Sequence, residues 1–122
     1  MEPLLKLEND TDYENGSVAA TDFSNVVLEN IKFEKWHFKN ISLNQAVFND
    51  VSFKEVVFED CNLSNLTVEK AYFEKCRFVT CRMTGFKALE ANSKMMVFSS
   101  FTVEESSNDN YRFDKDKWYD WK

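Results

Sequence analysis

From Phe23 to Met83 a large apolar residue stands at every fifth position: Phe23, Leu28, Phe33, Phe38, Leu43, Phe48, Phe53, Phe58, Leu63, Val68, Phe73, Phe78 and Met83. Two places before each of these the chain carries a second inward candidate, mostly small or β-branched, as at Val26, Ile31, Ala46, Val51, Val56, Cys61, Ala71, Cys76 and Cys81. Each five-residue unit thus offers two inward positions and three outward ones. This spacing fits neither the period of about 3.6 of an amphipathic helix nor the period of about 2 of a half-buried strand. Internal repetition at a fixed period predicts a solenoid, whose units stack and share one continuous core.

Segments such as AVFND, VSFKE, VVFED, CNLSN and AYFEK resemble the pentapeptide repeat family, whose motif is a small residue, a polar one, Leu or Phe, and two variable residues. The resemblance covers Thr21 to Ala88 and returns more weakly from Met96 to Val103. It implies an all-β fold, a right-handed quadrilateral β-helix in which each unit makes one side and about four units make one coil. Residues about 20 apart then stack on adjacent coils, about 4.8 Å apart where the coils pair like strands. About four coils and two terminal caps fit the chain.

By this reading residues 1–20 form an N-terminal cap, with Leu4, Leu5, Leu7 and Tyr13 set among acids. Such a cap hides the open end of the core and its unpaired strand edge. Residues 21–103 are the repeat body, interrupted near 89–95, where Ser93 takes a central position and a loop or short helical excursion is expected. Residues 104–122 leave the pattern and alternate aromatics with charges. They are a cap over the last coil, a partner-binding or dimerising segment anchored by Trp118 and Trp121, or the altered end of a longer repeat protein.

Composition sharpens the picture of the interior. The chain has 122 residues, with twelve Phe but only two Gly and one Pro, so tight hairpins and glycine-cradled phosphates have little to be built from. Phe23, Phe33, Phe38, Phe48, Phe53, Phe58, Phe73 and Phe78 are the expected core, each worth about 1.5–3 kcal/mol when buried. All three cysteines, Cys61, Cys76 and Cys81, fall on the inward small-residue position and read as reduced core filler, with no disulfide framework or metal site. The resemblance stacks Cys61 on Cys81, within disulfide reach, but inward orientation and a cytosolic setting favour free thiols. His37, the one histidine, is an outward surface imidazole. No stretch approaches the roughly 18 apolar residues of a membrane span, and MEPLLKLEND lacks a basic region followed by an apolar run, so a cytoplasmic protein is expected.

Charge bears on function. Residues 1–20 hold five acids and one base, residues 21–90 ten and nine, and residues 91–122 six and five, for a net charge of −6. The stacking implied by the resemblance gives columns of alternating sign, Glu34, Lys54, Glu74 and Lys35, Glu55, Lys75, with Lys39 under Glu59 and Asp50, Lys70, Glu90 in another. A fourth side, with Ser24, Asn44, Ser64 and Thr84, is a nearly uncharged ladder. No nucleophile, acid–base pair, metal-ligand spacing or phosphate loop converges, so no enzyme and no cofactor are expected. No basic stripe supports direct nucleic-acid binding.

The expectation is a protein-binding rod. The family resemblance implies one specific alternative: protection of a type II topoisomerase, DNA gyrase or topoisomerase IV, from quinolones by a homodimeric rod that imitates DNA. Against B-DNA, with a charge per about 1.7 Å of axis, the repeat body is nearly neutral, although Glu59 and Asp60, with Glu29, Asp50 and Glu69, offer local acid clusters. Glu59, Asp60, Trp118 and Trp121 are the candidate partner-binding residues. A purely structural scaffold module is the competing class.

Overall fold

The computed structural model describes residues 6–99. Within them the regular elements are all strands: β1 Thr11–Ala19, β2 Val27–Lys39, β3 Val47–Lys54, β4 Val57–Glu59, β5 Thr67–Val79, β6 Lys87–Leu89 and β7 Asn92–Ser99. Every pairing is parallel and joins residues 20 apart, as in the line Tyr13, Phe33, Phe53, Phe73, Ser93. A shift of 20 is four five-residue units, so inward positions meet only inward positions and the repeat phase is kept from coil to coil. The chain therefore winds as a four-sided β-helix of about four coils.

The corners explain how strands as long as the 13 residues of β2 and β5 can wrap a narrow core. Every fifth residue from Asp10 to Met95 is left-handed, with φ between 50° and 76°. An L-residue there costs roughly 1–2 kcal/mol, less for Asn and Asp, whose short side chains bond locally. Eight of these eighteen corners are Asn or Asp and one is Gly85. Once per coil a tight turn replaces the strand. The turns run Phe23–Val26, Leu43–Ala46, Leu63–Leu66 and Met83–Phe86, each closed by the last N–H donating to the first carbonyl at 3.0–3.3 Å. Their third residues, Asn25, Gln45, Asn65 and Gly85, have positive φ, which makes them type II turns. At Gly85, φ is 76° and an added Cβ would run into the Asn65 side chain.

Inside, the rings form two columns. Tyr13, Phe33, Phe53 and Phe73 stack with centroids 5.1, 5.5 and 5.0 Å apart, and Phe38, Phe58 and Phe78 with 5.1 and 4.9 Å. Between columns the rings meet edge to face, Phe33 on Phe38 at 5.1 Å and Phe53 on Phe58 at 5.5 Å. Both geometries suit the ring quadrupole. The eight phenylalanines assigned to the core are all buried, Phe23 being the most exposed of them at 6%.

Two features depart from the sequence reading. Thr11–Ala19 lie in the coil register as β1, with Tyr13 over Phe33 and Val18 over Phe38. The inward position between them is Gly16, opposite Trp36, where a Cβ would collide with the indole ring. The missing side chain makes room for the largest one. The second is residues 89–95, where neither a loop nor a helix forms. β7 spans Asn92–Ser99 and Ser93 sits opposite Phe73 in unbroken register. The parallel ladder is made by backbone groups, so a small central residue interrupts the apolar pattern without interrupting the coil.

Candidate functional site

Since inward positions are filled, any surface for recognition among the described residues lies in the outward rows. The strand register spaces these rows about 4.8 Å apart. Glu34, Lys54 and Glu74 are indeed consecutive register partners, as are Lys39 and Glu59. Among the described residues none of these pairs closes into an ion pair. The contact that forms is diagonal, His37 Nε2 to Glu59 Oε1 at 3.0 Å, with both side chains more than a third exposed. An alternating column thus lowers repulsion without fixing side chains, as expected for solvated charges.

Asp60 stands at the next corner, with φ 55° and its N–H donated to Val79 O at 2.9 Å. It lines both of two shallow, open grooves on the turn-bearing side. One contains Ala20, Asp22, Asn40, Ser42 and Asn62, the other Cys61, Asn62, Thr80 and Arg82. Glu59 and Asp60 are therefore adjacent and outward, but the wider acid cluster does not assemble. Glu69 lies ten residues, half a coil, from Glu59, and Glu29, Asn49 and Glu69 share one register line on the opposite side, with Asp50 at its corner. Trp118 and Trp121 lie outside the described residues.

The uncharged ladder exists as a physical network. Asp22 and Asn62 accept the N–H of Ser24 and Ser64 at 2.9 and 3.0 Å, and Ser42 Oγ takes that of Asn44 at 3.3 Å. Between coils, Ser24 Oγ meets Ser42 Oγ at 3.0 Å and Asn65 Nδ2 donates to Asn44 Oδ1 at 3.4 Å. The Ser24 hydroxyl and N–H hold the Asp22 carboxyl below the usual carboxylate range. Such bonds from side chain to backbone two residues on favour turns. They favour the bend on the three coils that carry them.

Cys61, Cys76 and Cys81 are free and buried, with thiols donating to Phe38 O, Phe53 O and Phe58 O at 3.4, 3.3 and 3.2 Å. Burial pushes the Cys76 thiol up to about 12. Among the described residues no group of three or more His, Cys, Asp or Glu is placed to hold a metal ion, and no helix is long and apolar enough to cross a membrane.

Comparison with known proteins agrees with this architecture. Residues 23–67 match the pentapeptide repeats family (9 copies). Residues 23–67 are accordingly pentapeptide repeats within the β-helix described above. No curated protein matches the chain in sequence. A trypsin-treated variant of QnrB1, a plasmid-mediated fluoroquinolone resistance protein, is similar in structure, with a TM-score of 0.60 at 15% identity over 80% of this chain. This chain spans 62% of that one. The pentapeptide repeat protein Rfr23 from the cyanobacterium Cyanothece 51142 aligns at 12% identity and a TM-score of 0.33, over 92% of this chain and 90% of its own. At these identities the likeness to QnrB1 is one of fold.

Proposed function

We propose that this chain is a non-catalytic rod that binds a protein partner in the cytoplasm. One observation carries the reading: the described interior is packed with rings and small side chains, while polar side chains stand outward in register on four sides. Catalysis wants convergent groups in a water-poor cleft, and the grooves here are shallow and open. Outward side chains set at regular intervals by the coil register suit recognition of a macromolecular surface.

The fold likeness to a fluoroquinolone resistance protein favours one partner class, a type II topoisomerase such as DNA gyrase or topoisomerase IV. If Glu59 and Asp60 act as part of a negative surface, binding weakens with salt, since exposed charges are screened over about 10 Å at 0.1 M. If Trp118 and Trp121 anchor the partner, their replacement by Ala abolishes binding and salt matters little. The test is gyrase supercoiling with a fluoroquinolone, run with the intact chain, with Glu59→Lys/Asp60→Lys and with Trp118→Ala/Trp121→Ala. Rescue by the intact chain, lost in one variant, supports protection and names the surface. No rescue at micromolar concentration removes this partner and leaves the scaffold reading. Light scattering separately decides whether the rod works as a homodimer.

A further inference from the structure

Cys61 and Cys81 occupy equivalent inward positions on successive coils. Flanking hydrogen bonds hold those coils in register: Arg82 N donates to Cys61 O at 3.0 Å, and Leu63 N to Arg82 O at 2.7 Å. Strands paired in this way lie about 4.8 Å apart, inside the Cα range of roughly 4.4–6.8 Å that a disulfide spans. Both side chains are buried, at 3% and 2% exposed, yet Cys61 borders the open groove of Asp60, Asn62, Thr80 and Arg82. Cys61 is thus the member of the pair that borders open space. Cys76 shares the burial but not the placement. It belongs to another side of the coil, has no cysteine in register, and borders neither groove.

The geometry points to Cys61 and Cys81 as a peroxide-responsive dithiol that closes into a disulfide between adjacent coils while the chain stays folded. Cys61 is the attacking sulfur. The neighbouring Cys81 side chain holds Cys61 below the ordinary thiol range, whereas the Cys61 side chain and burial push Cys81 up. The Cys61 thiolate takes one oxygen from hydrogen peroxide, becoming a sulfenic acid and releasing hydroxide. The Cys81 thiol then condenses with it, forming the S–S bond and expelling water. Two thiol hydrogens and one peroxide leave as two waters. The product pins one coil to the next at their turn-bearing side.

The intact chain is treated with equimolar hydrogen peroxide under folding conditions, its remaining thiols are alkylated, and it is digested with trypsin. Cleavage after Lys and Arg puts Cys61 in residues 55–70, Cys76 in 76–77 and Cys81 in 78–82. The expected result is a crosslink of 55–70 to 78–82, forming at least tenfold faster than Cys76 is lost, with Cys76 alkylated. Oxidised protein should melt at a higher temperature, an upward shift that dithiothreitol reverses. In Cys81→Ser no crosslink forms and dimedone traps the sulfenic acid on Cys61. The proposal is overturned by a crosslink involving Cys76, by oxidation of all three thiols at one rate, by three unreacted thiols, or by a crosslink that forms only in denaturant.

Discussion

Phe53 and Phe48 have the same side chain and nearly the same burial, 1% and 0% exposed, but different neighbours. Phe53 is stacked on Phe33 at 5.5 Å and on Phe73 at 5.0 Å, with Phe58 edge-on at 5.5 Å. Phe48 is flanked in its column by Leu28 and Val68, and its ring contact is the tilted one to Phe53 at 6.1 Å. Leu already fills the same kind of position at Leu43 and Leu63, so Phe→Leu keeps the repeat and removes the ring. The transfer and cavity costs should be similar at the two sites. The tilted pair is lost in both variants and Phe53→Leu loses three more. Each aromatic pair adds about 0.5–1.5 kcal/mol beyond its area, so Phe53→Leu should cost about 1.5–4.5 kcal/mol more than Phe48→Leu. Urea unfolding followed by circular dichroism measures both, and an unchanged m value certifies that the midpoints report stability. Equal losses, within about 0.5 kcal/mol, would show that the columns are held by burial alone. A Phe33→Leu/Phe53→Leu cycle gives the pair term directly and should show coupling of about 0.5–1.5 kcal/mol.

Gly85→Ala combines a left-handed backbone with a Cβ pressed on Asn65. It should lower stability by at least about 1–2 kcal/mol, and a thermal midpoint equal to the parent's would refute the steric argument. Thr80 is a β-branched, exposed residue at φ 54°, so Thr80→Asn should raise stability by roughly 0.5–1 kcal/mol. A lower urea midpoint would mean that Thr80 makes a contact outweighing its strain.

The five-residue pattern made the coil legible because its two inward positions differ so sharply from its three outward ones. The left-handed corners were not read, although the signal was there: Asn25, Asn30, Asn40, Asp50, Asp60 and Asn65 all fall two places after a central residue. Lys35, Glu55, Lys70 and Lys75 share that position and blur it, because the fold imposes the conformation on residues that merely tolerate it. β1 escaped notice for the opposite reason. Tyr13 and Val18 keep the phase, but Gly16 reads as a breaker until Trp36 is seen beneath it. At the candidate site, the adjacency of Glu59 and Asp60 was evident from the sequence. Their separation from Glu69 required counting around the coil, since ten residues carry the chain to the opposite side. Nothing in the linear pattern showed that Glu59 would meet His37 in place of Lys39, because that choice depends on side-chain reach across a diagonal.

The constant register also sets how such a chain can fold. Each new rung closes a loop of the same 20 residues, so the chain-entropy cost, which grows only with the logarithm of loop length, is alike at every step. The first pair of coils must form with no template and bears the full cost of ordering both. Every later coil docks onto an existing edge and gains stacked rings as it arrives. Rate should therefore be set by nucleating two coils anywhere along the body, and growth should then run toward both ends, with the terminal coils last to form and first to fray.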